Sequence, residues 1–161
     1  IWEGLAVAHG NKVGFVDADN MVRAPETEKL IRALDAADMA IADRFAGVEE
    51  DSSSQPALRK LISQGSRLWV RYFLGLPYSD TQCGAKVFRT AAWRLLAPRV
   101  RERGWAFDLD VLANAGFLDL KVAEVPVRWK HIVEGSKVRP WKDVPQTLWA
   151  TLGIRRRVRR G

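Results

Sequence analysis

The sequence has a single cysteine, Cys83, two histidines, His9 and His131, and no apolar run long enough to cross a bilayer. A lone cysteine cannot close an internal disulfide, and two histidines cannot build a His-rich metal cage. The composition therefore suits a reducing compartment and excludes most zinc folds. A helical membrane span needs ~20 predominantly apolar residues, and no stretch approaches that. There is no internal repeat, no long low-complexity tract and no secretory pattern in Ile1-Trp2-Glu3-Gly4. An initiator Met is also missing, so the chain is expected to begin inside a longer protein.

What is present is ordinary for a folded domain: 161 residues, 47% hydrophobic and 28% charged. The net charge of +7 is unevenly placed. Arg155, Arg156, Arg157, Arg159 and Arg160 fall in the last seven positions, and without them 21 basic residues face 19 acidic ones. The body is nearly neutral and the basicity is terminal. A nucleic-acid domain more often spreads basic residues over a face and interleaves aromatics. A basic cluster closing an amphipathic helix fits an anionic lipid surface at least as well.

Val13-Gly14-Phe15-Val16 reads as a buried parallel strand that ends in Asp17-Ala18-Asp19-Asn20. Pro25, Glu26 and Glu28 open a helix carrying Leu30, Ile31 and Leu34 on one face, and Met39–Ala42 is a second strand running into Asp43-Arg44. Strand, helix, strand is the rhythm of an α/β fold. Residues 46–56 read as a loop, followed by a helix bearing Leu58, Leu61, Ile62, Leu68, Trp69, Tyr72 and Phe73, which Gly75 and Pro77 end. Further on, a strand is expected over Lys86–Phe88, and helices over Ala91–Ala97 and Asp108–Ala115. The next strand runs from Leu120 to Trp129, with Val125, Val127 and Trp129 on one face. A last helix starts at about Val144, with a stripe of Trp141, Val144, Leu148 and Leu152.

In open α/β sheets ligands bind beyond the carboxyl ends of strands, where Asp17 and Asp19 fall. Two neighbouring carboxylates suit a hard divalent cation that keeps positions open for a diphosphate. The alternative is that Asp17 caps a turn and Asp19 is solvated. Three blocks then follow in order: Asp80-Thr81-Gln82-Cys83-Gly84-Ala85-Lys86-Val87-Phe88-Arg89, Trp105-Ala106-Phe107-Asp108, and Glu124-Val125-Pro126-Val127 with Gly135-Ser136-Lys137. The series resembles the family 2 glycosyltransferases that charge polyprenyl phosphates, of the dolichyl-phosphate β-glucosyltransferase type, over essentially the whole chain.

The resemblance implies an α/β fold of GT-A type, a nucleotide-diphospho-sugar transferase fold that is N-terminally incomplete here. Residues 1–140 would be the C-terminal portion of that domain, and 141–161 an amphipathic helix with a basic, membrane-facing tail. It implies a divalent metal, Mg2+ or Mn2+, held by Asp17 and Asp19, with Met21 where related mannosyltransferases carry a polar residue. It also implies a nucleotide-sugar donor and a polyprenyl-phosphate acceptor at the cytoplasmic face of a membrane, with no nucleic acid involved. Arg44, Arg59 and Lys137 become candidates for binding phosphate, since guanidinium and ammonium groups suit its oxygens. Arg59 can equally be a solvated helix arginine.

Asp80, Gln82 and Asp108 are the candidate catalytic residues, able to orient sugar hydroxyls or the acceptor phosphate. Asp108 can also serve as the N-cap of its helix. Gly84 permits close backbone approach. Cys83 reads as a packing residue, and of the two histidines His131 lies nearer the action. The expected reaction is inverting transfer of a sugar, glucose from UDP-glucose in the first instance, with mannose from GDP-mannose as the alternative. A non-catalytic basic module that binds nucleic acid or membrane is the reading from a different class, and it leaves the acidic motifs unexplained.

Overall fold

A computed structural model describes residues 1–46, 57–129 and 140–160, with the side chains of 57–64, 140–144 and 160 excepted. In chain order the elements are α1 (Trp2–Val7), β1 (Lys12–Val16), α2 (Ala24–Ala33), β2 (Met39–Asp43) and α3 (Ala57–Leu74). They continue as β3 (Ala85–Arg89), α4 (Thr90–Leu96), α5 (Phe107–Phe117), β4 (Val122–Pro126) and α6 (Pro140–Arg160). Pro25 stands in the first turn of α2, where its missing N–H costs nothing. Gly75, at φ +69°, takes the left-handed conformation just after α3.

The four strands form one sheet in the order β1-β3-β2-β4. β3 pairs antiparallel with both β1 and β2, whereas β2 and β4 are parallel. This corrects the expectation of β1 as a buried parallel strand. Among the described residues it lies at the edge of the sheet and pairs antiparallel with β3, and its residues alternate in burial accordingly. β1 and β2 do run in the same direction, as a strand-helix-strand unit requires, but β3 lies between them. β2, in the interior of the sheet, is buried at all five positions, and its sequence Met39-Ala40-Ile41-Ala42 is correspondingly apolar on both faces.

One face of the sheet, with Ala40, Ala42, Ala85 and Val87, packs on Leu30 of α2 and Leu34 at its C-cap. Val125, Val127 and Trp129 join that same layer, so the one-face expectation holds although β4 stops at Pro126. The other face, with Val13, Met39, Ile41 and Phe88, packs on the larger core supplied by α1, α3, α4, α5 and α6. Trp2 of α1 meets Trp93 and Phe107 edge-on at ring-centroid separations of 5.3 and 6.1 Å, fastening α1 across α4 and α5. α5 is buried around most of its circumference, which its apolar sequence permits.

α6 begins at Pro140, earlier than expected, and carries Pro145 inside it. It is attached to the domain at specific points. Ile154 is fully buried, Trp69 Nε1 donates to Thr151 Oγ1 at 3.1 Å, and Arg157 Nη2 reaches Glu102 and Asp110 at 2.8 and 3.2 Å. The Arg155 guanidinium lies 4.5 Å from the centroid of the Phe73 ring. Of the expected stripe, Leu148 and Leu152 are half-buried, so it is turned partly inward; the side chains of Trp141 and Val144 lie outside the described residues. Arg155 and Arg157 of the terminal arginines are thus engaged by the protein itself. Among the described residues, no helix is long and apolar enough to cross a membrane.

Candidate active site

The end of β1 and the start of β3 meet at Asp17. Its backbone N–H donates to Gly84 O at 2.7 Å, and its carboxylate occupies the space where a side chain on residue 84 would begin. A Cβ there would stand 1.7 Å from Asp17 Oδ2. Residue 84 must therefore be glycine for Asp17 to sit as it does, and the close approach anticipated from sequence is filled by the protein's own acid. Two residues on, Asp19 Oδ1 accepts the Met21 N–H at 3.0 Å, closing a turn around Asn20, whose φ is +58°.

Burial, followed by the charges of Asp19 and Asp108, raises the Asp17 pKa above its ordinary value. Lys86 and Arg44 pull in the opposite direction without reversing it. The acids are therefore close enough to repel one another. Among the described residues no three His, Cys, Asp or Glu side chains form a closed metal cage. The donor set is the open kind, one or two carboxylates with the remaining positions left for water and phosphate, which is how Mg2+ is commonly held beside a nucleotide. The residues present fit a divalent cation.

Asp80, 2% exposed, grips Arg44 in a fork: Arg44 Nε donates to Oδ2 at 2.6 Å and Nη2 to Oδ1 at 2.9 Å. The same carboxylate accepts the backbone N–H groups of Arg44 and Gln82. Burial works against the Arg44 charge, but the hydrogen bonds and charge of Asp80 outweigh it and hold the pKa above the ordinary arginine value. The guanidinium also lies 5.5 Å from the Trp129 ring centroid. Its two bonds to Asp80 leave N–H donors free for another oxygen. Below this pair, Asp43 accepts the backbone N–H groups of Phe45 and Ala46 and the hydroxyl of Ser79, whose own backbone N–H donates to Glu124 Oε1 at 2.6 Å.

A cavity of about 800 Å³ opens at this point, within the range of ligand pockets. Asp17, Arg44, Gln82 and Asp108 line it, with Trp105 and Phe107. Gln82 Nε2 donates weakly to Trp105 O at 3.5 Å, joining the two motifs. Asp108 lies in the first turn of α5, and the N-cap is Ala106, which corrects the capping alternative. Asp19 and Asp80 are not among the lining residues: Asp80 holds Arg44, and Asp19 accepts the Met21 N–H within electrostatic range of Asp17. Arg59 lies on α3 with its side chain outside the described residues, and Lys137 and His131 lie outside them altogether.

Sequence reasoning passed over Lys86 and Arg103. Lys86 is fully buried on β3, with Nζ 2.8 Å from Asp108 Oδ1. The available signal was its phase: it shares the strand face of Phe88, which is in the core. Arg103 lines the cavity and stacks 3.9 Å from the Trp2 ring centroid, and nothing in its local sequence distinguishes it. Cys83 behaves as the packing residue expected. Burial, then the charge of Asp80, pushes its thiol up to about 11.

No protein-family model matches the chain. Curated relatives do. The dolichyl-phosphate β-glucosyltransferase of Homo sapiens is 36% identical over 158 residues, 93% of this chain and 47% of the relative. Those of Drosophila melanogaster and Saccharomyces cerevisiae are 34% and 30% identical over 86% and 84% of the chain, each alignment covering 44% of the relative. The chain spans about half the length of the curated relatives it matches, and over that half it is their homologue, as the motif resemblance implied. Among solved structures, glucosyl-3-phosphoglycerate synthase of Mycobacterium tuberculosis superposes with a TM-score of 0.60 at 18% identity, over 96% of this chain and 53% of that one. The same enzyme solved with Mn2+, UDP-glucose and phosphoglyceric acid gives 0.59 at 16% identity, over 98% and 52%. The open mixed sheet is thus part of a GT-A glycosyltransferase fold.

Proposed function

We propose that this chain forms the metal, sugar and acceptor side of a glycosyltransferase that moves glucose from UDP-glucose to a dolichyl or polyprenyl phosphate, with inversion at the sugar. The observation that carries the reading is the cavity in which the carboxylates of Asp17 and Asp108 oppose the Asp80-held guanidinium of Arg44. Acids for a cation and a cation for a phosphate, brought to one place by β1, β2, β3 and α5, are what joining a diphosphate donor to a phosphate acceptor requires. The matched relatives are glucosyltransferases, which favours glucose over mannose and favours an enzyme over a basic binding module.

Asp17 and Asp19 would hold a divalent cation, Mn2+ or Mg2+, which when bound stabilises the charge of the departing nucleoside diphosphate. Arg44, a lining residue clamped by Asp80 with N–H donors to spare, orients the acceptor phosphate. That phosphate is already anionic near neutral pH, so its oxygen attacks the anomeric carbon without a strong base. The sugar–diphosphate bond breaks as the new bond forms, and the electron pair leaves with UDP. Gln82 and Asp108 orient sugar hydroxyls. Asp80 touches no substrate and acts through Arg44. Arg59 and Lys137 remain candidates for further phosphate contacts.

A lipid-phosphate acceptor favours a reaction at a membrane surface, and we propose the cytoplasmic face. α3 and α6 lie side by side, and on them Tyr72 and Trp149 are 80% and 74% exposed, with Leu68, Arg156 and Arg159 also open to solvent. Aromatic residues with arginines suit an interface with anionic lipid, each basic group contributing about 1 kcal/mol. The donor assignment is tested by thermal stabilisation of the full-length protein with UDP and GDP, each with and without Mn2+. Stabilisation by UDP that requires Mn2+ and exceeds that by GDP is expected. An equal or larger response to GDP would overturn the choice of donor.

A further inference from the structure

Lys86 is an anomaly on physical grounds. It sits at the second position of β3, opposite Phe15 of β1, and its side chain has no solvent exposure. Moving an ammonium into a core carries a desolvation penalty of several kcal/mol, and an apolar side chain at such a position is often as stable or more so. The three hydrogens of its Nζ are used sparingly. It donates to Cys83 O at 2.7 Å, stands 2.8 Å from Asp108 Oδ1, and lies 6.0 Å from the Phe15 ring centroid. The contact with Asp108 is an ion pair and not an aligned hydrogen bond, since buried Oδ1 accepts none. The Asp108 side chain as a whole keeps 20% exposure and lines the cavity. One oxygen therefore faces the buried ammonium, and the exposure belongs to the rest of the side chain.

The charges around the cavity give this arrangement a purpose. Asp17, Asp19, Asp80 and Asp108 are four carboxylates close together, and Arg44 and Lys86 are the cations that pair with them, while Arg103 and Glu3 line the cavity farther round, Arg103 stacked on Trp2. Arg44 is committed to Asp80. Asp108 sits within electrostatic range of Asp17, so without a cation of its own its carboxylate would be repelled by its neighbour or drawn onto a bound metal.

We infer that Lys86 is the positioning residue of Asp108: its buried ammonium pins one carboxylate oxygen from within the core and turns the other toward the cavity, ready for a hydroxyl of the bound sugar. This rests on the cavity being a sugar-nucleotide site. With Arg44 on Asp80 and Lys86 on Asp108, Asp17 and Asp19 are the carboxylates of this group left for a divalent cation, so Lys86 also keeps Asp108 from competing as a metal ligand.

The test is a double-variant cycle in the full-length protein, with Lys86→Met, Lys86→Arg, Asp108→Asn and the Lys86→Met/Asp108→Asn combination. Thermal midpoint, donor KM and kcat are measured for each. Lys86→Met is expected to lower kcat about 10–100-fold, as loss of an orienting partner typically does, while donor KM stays near wild type. Lys86→Arg should recover part of the loss, and Lys86→Met should cost nothing further once Asp108 is Asn. A Lys86→Met enzyme with wild-type kcat, or a loss that persists in full on the Asp108→Asn background, would overturn the assignment. If the wild-type protein transfers no glucose, the functional reading itself fails. The pair is then judged by the midpoints alone, where non-additive changes support it and additive ones refute it.

Discussion

Asp80→Asn isolates the contact on which the acceptor side of the site depends. Asn keeps the shape and one acceptor oxygen but removes the charge and one half of the fork that holds Arg44 at 2.6 and 2.9 Å. Removing one partner of a buried ion pair typically costs about 3–5 kcal/mol, because the other charge is left uncompensated. Asp80 is buried, but the Arg44 side chain is 27% exposed, so water can compensate part of the loss and the lower figure, about 3 kcal/mol, applies. For a domain of this size each kcal/mol shifts the melting midpoint by roughly 2–4 °C, giving a fall of about 6–12 °C by calorimetry or circular dichroism. Arg44→Lys, which keeps the charge and loses the fork, should fall between wild type and Asp80→Asn. A midpoint for Asp80→Asn within about 2 °C of wild type would place the pair among exposed surface bridges and refute the clamp.

Gly84→Ala should leave the fold nearly intact, because the clash is with the flexible end of Asp17 and not with backbone. The displaced carboxylate should nevertheless lose Mn2+-dependent UDP binding, and binding at wild-type strength would show that Asp17 is not needed where it lies. Asp17 also sets a pH dependence of known sign. Its folded pKa is raised above 3.8, so the unfolded chain gives up its proton first. Its contribution to stability is fully present below 3.8 and is lost as pH rises through the folded value. Glu26 and Asp35, whose pKa values are lowered, act in the opposite sense, so the comparison is wild type against Asp17→Asn in chelator. The wild type should lose stability relative to the variant as pH climbs above 3.8, and a difference that is flat with pH would contradict the acidic cluster.

Much of the site could be read from short-range pattern. A Val/Phe run ending in two acids located both β1 and Asp17, because strand ends carry ligands whatever the neighbouring strands do. The partner of that strand could not be read, since alternation shows which face is buried but not which strand lies beside it. β3 enters between β1 and β2 from more than forty residues downstream. The Asp80 block stood out as a motif, yet its meaning lies in Arg44, 36 residues earlier. Lys86 was legible only through its phase with Phe88, and lysine in a five-residue strand ordinarily signals solvent. α6 starts before the expected Val144, with Pro140 as its first residue, where a missing N–H costs nothing, and Pro145 accommodated inside it.

The most direct measurement is product formation by the full-length protein, supplied with UDP-glucose and dolichyl phosphate in anionic vesicles, with the glucosyl lipid identified and its anomeric configuration determined. The expected result is a β-linked glucosyl phosphate lipid that forms with Mn2+ or Mg2+ and is abolished by chelator, with Asp17→Asn and Asp19→Asn retaining only a small fraction of the rate. No glucosyl lipid from the wild-type protein, or undiminished transfer by the two aspartate variants, would contradict the account.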